Sequence, residues 1–146
     1  MDFDLKVKLA IYKYFAETGK RPSVEEVANR IDSDPESVLD AYRRLRKLRM
    51  LVLEEDGSSI RMASPFSGIP TQHAVESGGI NYYANCAWDA LGIAAALQRE
   101  ATVHSRCEQS KEPLHLKVLV DGPEPSGWLF HSLVPAANWW DDIVFT

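Results

Sequence analysis

The sequence predicts an α+β protein in two parts: a winged-helix-like subdomain of three helices, then a mixed, mostly antiparallel sheet domain with one main helix. Three observations predict it. Residues 1–63 hold three apolar stripes at helical spacing, followed by two short β-rich runs around Asp56-Gly57. Residues 64–70, Ser-Pro-Phe-Ser-Gly-Ile-Pro, are turn-rich and read as a linker. Beyond them, short strand patterns surround a single helical one. The expected domains are therefore 1–63 and 64–146.

The first helix is read from Leu5, Leu9, Tyr12 and Phe15, with Gly19 as its stop. The second opens at Ser23, an N-cap with Glu26 three residues on, which forms a capping box. Val24, Val27, Ala28 and Ile31 give it one apolar face. Asp34 caps the third helix, with Pro35 at its first position. Val38, Ala41, Leu45 and Leu48 line its buried side. Leu51-Val52-Leu53 and Ile60-Arg61-Met62 then read as a hairpin. In the second part, strands are expected at 72–75, 101–105, 114–120, 128–134 and 143–145, and a helix from Cys86 to Leu97. Residues 135–138 should turn, or begin a short helix, into Trp139-Trp140.

Composition narrows the function classes. Of the 146 residues, 45% are hydrophobic and 25% charged, as in ordinary globular proteins. No apolar run approaches the roughly 20 residues that span a bilayer. The N-terminus carries acids where a signal peptide would be basic, so a cytoplasmic, non-membrane protein is expected. The net charge of −5 is uneven: residues 1–50 carry 11 basic against 9 acidic groups, and residues 51–146 carry 5 against 12. Only the first part is suited to nucleic acid. Its third helix bears Arg43, Arg44, Arg46, Lys47 and Arg49, which suggests a winged-helix DNA-binding regulator as an alternative. The basic groups sit at the helix end, however. Asp34, Glu36 and Asp40 occupy the half that would read bases, so DNA is not the expected partner.

Two cysteines, Cys86 and Cys107, are too few for a cysteine-rich zinc site. Cys107 with His104 and His115 lacks a fourth ligand. His73 and His131 read as packed or surface residues, and the four tryptophans as core or pocket walls. The informative stretch is Tyr83-Ala84-Asn85-Cys86-Ala87-Trp88-Asp89. Asn85 reads as an N-cap, which places Cys86 in the first helical turn, where the helix dipole favours a thiolate. Asp89 falls on the same face. A thiolate suits a soft metal and a carboxyl suits proton transfer. The plainer alternative is a small buried hydrophobe beside a first-turn charge.

Five segments in order resemble the organomercurial (alkylmercury) lyases: 65–71, 85–93, 105–107, 131–135 and 139–146. The resemblance implies cleavage of carbon–mercury bonds to hydrocarbon and Hg(II). Cys86 would be the mercury ligand and Asp89 the proton carrier and a further ligand. Cys107 would match a structural cysteine. No resident cofactor is implied. The partners would be an organomercurial, and cellular thiols that accept the bound Hg(II). The family's second catalytic cysteine follows the segment matching 142–146, and the sequence given stops at Thr146. Two expectations follow: a C-terminally shortened lyase with impaired turnover, or a non-catalytic relative that binds mercury or another metal. Reading 143–145 as the start of a strand also leaves a sheet edge there, and a homodimer through it is expected.

Overall fold

The computed structural model describes residues 1–145. Thr146, the last residue of the C-terminal resemblance, lies outside them. Three helices come first: α1 (Phe3–Thr18), α2 (Val24–Ile31) and α3 (Pro35–Lys47). The capping box on α2 is complete, since Ser23 Oγ accepts from the Glu26 N–H and the Glu26 carboxylate accepts from the Ser23 N–H. Asp34 caps α3 by accepting from the Ser37 N–H at 2.8 Å. Each such cap satisfies a helix-end donor and contributes about 1 kcal/mol.

The apolar faces of α2 and α3 are buried as expected, except that Leu48 falls beyond the end of α3 and is exposed. Tyr42 is buried in its stead, an addition to the expected face. On α1 the expected stripe holds at Phe15 and, half-buried, at Tyr12, but not at its first two positions. Leu5 and Leu9 are 45% and 39% exposed, while Val7, Ala10, Ile11 and Phe15 are buried. This helix is apolar on more than one side, and the stripe that meets α2 and α3 is the one that packs.

The hairpin forms from β1 (Val52–Leu53) and β2 (Ile60–Ala63), turning at Asp56-Gly57. Asp56 accepts from the Ser58 and Ser59 N–H groups, and Gly57 has φ +71°. The segment read as a linker continues this sheet. Its β3 (Phe66–Ser67) pairs antiparallel with β2. Three helices followed by a small antiparallel sheet is thus the observed order.

The second sheet runs β5-β4-β6-β7-β8, antiparallel throughout. Its strands are β4 (Ala74–Ser77), β5 (Ile80–Tyr83), β6 (Ala101–Arg106), β7 (Pro113–Leu119) and β8 (Gly122–Pro123). The single helix of this part, α4 (Ala87–Leu97), covers one face with Ala90, Ile93 and Ala94 buried. Along β6, Ala101, Val103 and Ser105 point inward and Thr102, His104 and Arg106 outward. The sequence reading missed β5, because Gly78-Gly79 reads as a bare turn. Both glycines have positive φ and close a β4–β5 hairpin.

Two expected strands do not form. Residues 128–134 are irregular, and 143–145 turn back as Asp142 accepts from the Phe145 N–H at 3.1 Å. Local hydrogen bonds, including Trp139 Nε1 to the Val134 carbonyl at 2.8 Å, satisfy the chain here. The edge invoked for a dimer is therefore not a strand. A 3-10 turn over Ala136–Asp141 matches the expected turn before the tryptophan pair.

One hydrophobic cluster spans both parts. Phe66 is its hinge point: its ring stacks on Phe15 at 5.2 Å and 5°, and lies 5.7 Å from Tyr82. Tyr82 in turn donates its hydroxyl to the Ala16 carbonyl at 2.5 Å. Gly19 approaches β5 so closely that a Cβ there would lie 2.0 Å from the Asn81 oxygen. Replacing Phe66 with alanine should lower stability by about 3–5 kcal/mol through the cavity left between α1 and the second sheet. Urea unfolding of Phe66→Ala by circular dichroism and by tryptophan fluorescence checks this, and both probes should move together.

Candidate functional site

The start of α4 gathers the titratable groups singled out in the sequence. Cys86, rather than Asn85, is the N-cap residue. Its backbone is extended (φ −152°, ψ 177°) and its Sγ accepts from the Asp89 N–H at 3.4 Å. Sulfur and carboxyl therefore belong to one helical turn, as the spacing predicts.

Asn85 does something else. Its side-chain amide donates to Asp89 Oδ2 at 3.0 Å and to the Phe66 carbonyl at 3.1 Å. It ties the acid to β3, and so to the joint between the two parts. Its own Oδ1 is buried without a hydrogen-bond partner among the described residues. Ser64 also hydrogen-bonds the Asp89 carboxyl. The Ser64 carbonyl accepts the Tyr12 hydroxyl at 2.7 Å. Through Tyr12, α1 contributes a wall to the site.

Burial sets the protonation of these groups. It pushes the Asp89 carboxyl above its ordinary range, against the pull of Asn85, Ser64 and His73. It also pushes the Cys86 thiol up. The backbone N–H groups of Asp89 and Trp88 pull it down, and the Asp89 charge raises it further. The helix-end donors are thus present, but desolvation outweighs them, so burial opposes the thiolate that the helix end favours. Tyr12 is pushed up to about 12 by burial and by Asp89, so its phenol stays a donor.

His73 is buried, with Nδ1 2.6 Å from Ser105 Oγ, and burial lowers its pKa. It is a packed neutral histidine close enough to be felt by Asp89, in line with its sequence reading. None of the tryptophans is a core residue, since none is buried, but Trp140 does wall a groove. Trp88 is exposed and tilts onto Phe130 at 5.6 Å. A groove of about 250 Å³ runs beside the site, lined by Lys8, Tyr12, Met50, Met62, Ser64 and Trp140 among others.

Cys107 is elsewhere, in the turn between β6 and β7, and is a free thiol like Cys86. Its sulfur takes hydrogen bonds from Ser110 and the local backbone, which hold its pKa below the ordinary value. His104 and His115 meet across β6 and β7, and Cys107 does not join them. Among the described residues no three metal-binding side chains cluster, and no helix is long and apolar enough to cross a membrane. The basic third helix is partly neutralised: Arg44 grips Asp4 through two nitrogens and Arg43 pairs with Asp40.

The sequence pointed to Cys86 and Asp89 but missed Tyr12 and the amide of Asn85. Tyr12 lies 52 residues from its Ser64 partner, and no local pattern encodes that contact. The raised Cys86 pKa has a direct test. In a Cys107→Ser background, the pH midpoint for alkylation of Cys86 by iodoacetamide should lie above that of an exposed cysteine. Asp89→Asn should move it down, by removing the charge that opposes thiolate formation.

Comparison with known proteins bears on the fold and the family. One solved structure, described as the crystal structure of the mercury-bound form of MerB2, is 23% identical over 84% of this chain, with a TM-score of 0.65. At that identity the likeness establishes the fold. The chain spans 60% of the length of that protein. A search of curated proteins finds no match. The family model for alkylmercury lyase matches residues 66–146, which hold the Cys86–Asp89 turn, β3 and the whole second sheet. Since that match takes in more than half of the sequence, the chain belongs to the alkylmercury lyase family.

Proposed function

We propose that this protein binds organomercurials, R–Hg⁺, through Cys86 and protonates the carbon–mercury bond with Asp89. The supporting observation is the first turn of α4, where a half-buried sulfur and a half-buried carboxyl share one turn. Membership of the alkylmercury lyase family agrees with this reading, as does the mercury-bound state of the structurally similar MerB2.

The protonation states suit the steps. An organomercurial entering the site meets a thiol. Formation of the sulfur–mercury bond releases the thiol proton, and the adjacent Asp89 carboxylate takes it. Burial raises the affinity of Asp89 for that proton, so the acid forms where it is needed. A second thiolate then adds to mercury and weakens its bond to carbon. Asp89 returns the proton to carbon, giving R–H and a mercury bridged between Cys86 and the second sulfur. Atoms and charge balance: R–Hg⁺, one thiol and one thiolate give R–H and a bis-thiolate Hg(II). Positioning is the protein's share, because the acid and the sulfur that would hold the mercury lie in one turn.

Cys107 is bonded into its own turn and makes no contact with Cys86. For residues 1–146, a small thiol added in solution can supply the second thiolate, and it is also the product acceptor. Tyr12 and Trp140, on the adjoining groove, would meet the organic group.

Incubation with phenylmercury and excess thiol should release benzene, measured by gas chromatography. Omitting the thiol should suppress release. Cys86→Ser should lose both mercurial binding and turnover. Asp89→Ala should keep binding but lower turnover by about 100-fold or more, the usual scale of a general acid. Turnover that survives Cys86→Ser would overturn the reading.

A further inference from the structure

The outer face of the second sheet, opposite α4, carries a paired feature that carbon–mercury chemistry does not use. His104 on β6 and His115 on β7 are directly opposed in the antiparallel register. Their rings meet edge to face with centroids 4.3 Å apart, and His104 Nδ1 lies 3.3 Å from His115 Nε2. His115 is exposed and His104 half-exposed, so an ion reaches them from solvent.

We propose that His104 and His115 form a two-imidazole site for a borderline divalent cation of the Zn(II) type, separate from Cys86. The spacing is the decisive observation. Metal–imidazole bonds of about 2.0–2.1 Å at a tetrahedral angle place the two nitrogens about 3.3–3.4 Å apart. The observed 3.3 Å falls on that bite. The backbone already fixes it, because directly opposed residues on an antiparallel pair hold their Cβ atoms about 4.5–5.5 Å apart. Little side-chain ordering is left to the ion.

The proton balance closes. In the pair as it stands, one ring donates N–H to the lone pair of the other. To bind, that ring carries its proton on its second nitrogen and both lone pairs turn to the ion, with no net proton released. Imidazole nitrogen prefers borderline divalent ions, whereas the soft Hg(II) favours thiolate sulfur. The two sites therefore sort metals by donor type. Among the described residues no third metal-binding side chain joins the pair, so water fills the remaining positions. Affinity should accordingly be micromolar rather than that of a closed structural site.

The test is isothermal titration of the intact chain with Zn(II), which is redox-inert and does not oxidise thiols. One ion should bind per chain, and the Cys86→Ser/Cys107→Ser double variant should bind it equally well. His104→Gln and His115→Gln should each weaken binding at least tenfold, while His131→Gln should not. Both substitutions lie on the solvent side of the sheet, and unchanged far-ultraviolet circular dichroism confirms that the fold is kept. Absence of binding to the native chain overturns the proposal. So does binding that survives either substitution, or binding that disappears with the cysteines.

Discussion

The structure depends on the seating of Phe66 between α1 and the second sheet. Its ring lies flat on Phe15 and beside Tyr82, so one side chain belongs to the packing of both parts. Its backbone is equally committed. Its strand pairs with β2, and its carbonyl takes the amide of Asn85. Aromatic burial of this kind contributes a few kcal/mol, a large share of the net stability of a small protein. The same residue that closes the core fixes the residue preceding Cys86. Stability and site geometry are therefore set by one contact network, and the helical part is a structural support of the site rather than a detachable appendage.

That network explains why Ser64 reaches a carboxyl on α4 and why Tyr12, bonded to Ser64, stands close enough to feel its charge. Neither lies near Asp89 in sequence, but α1 and the turn before β3 are held against β5 and the start of α4. The result is a half-buried pocket in which water is scarce. Scarce water is what raises the pKa of both Cys86 and Asp89. A thiol and an acid held so can exchange a proton locally instead of with bulk solvent. The helix-end donors moderate this effect without reversing it, because two weak contacts to sulfur do not replace full hydration.

Much of the fold was legible where local chemistry decides it. The caps at Ser23 and Asp34, the Asp56-Gly57 turn and the alternation of β6 are short-range signals, and each stands in the structure. The buried stripe of α1 was only partly legible: Phe15 was placed correctly, but apolar residues stand on more than one side of the helix, and the packing partners decide which of them are buried. Residues 128–134 and 143–145 have β-rich composition but lack a neighbouring strand, and hydrogen bonds donated by the Ser132 hydroxyl and accepted by the Asp142 carboxylate bend them instead. In the site, the Cys86–Asp89 spacing was readable from helix periodicity. The N-cap was assigned one residue too early, since cysteine is a rare cap and asparagine a common one. The bridging amide of Asn85 and the His104–His115 pairing both need the third dimension.

In the proposed reading, the sulfur that caps α4 is also the atom that takes the heavy ion. A cap sulfur shares its electron density with the Asp89 amide proton; an ion on that sulfur draws the density away. Occupancy is thus written into the first turn of the helix as a loosened end. The amide of Asp89 becomes a native gauge of loading, whose exchange with solvent registers the ion without any added label.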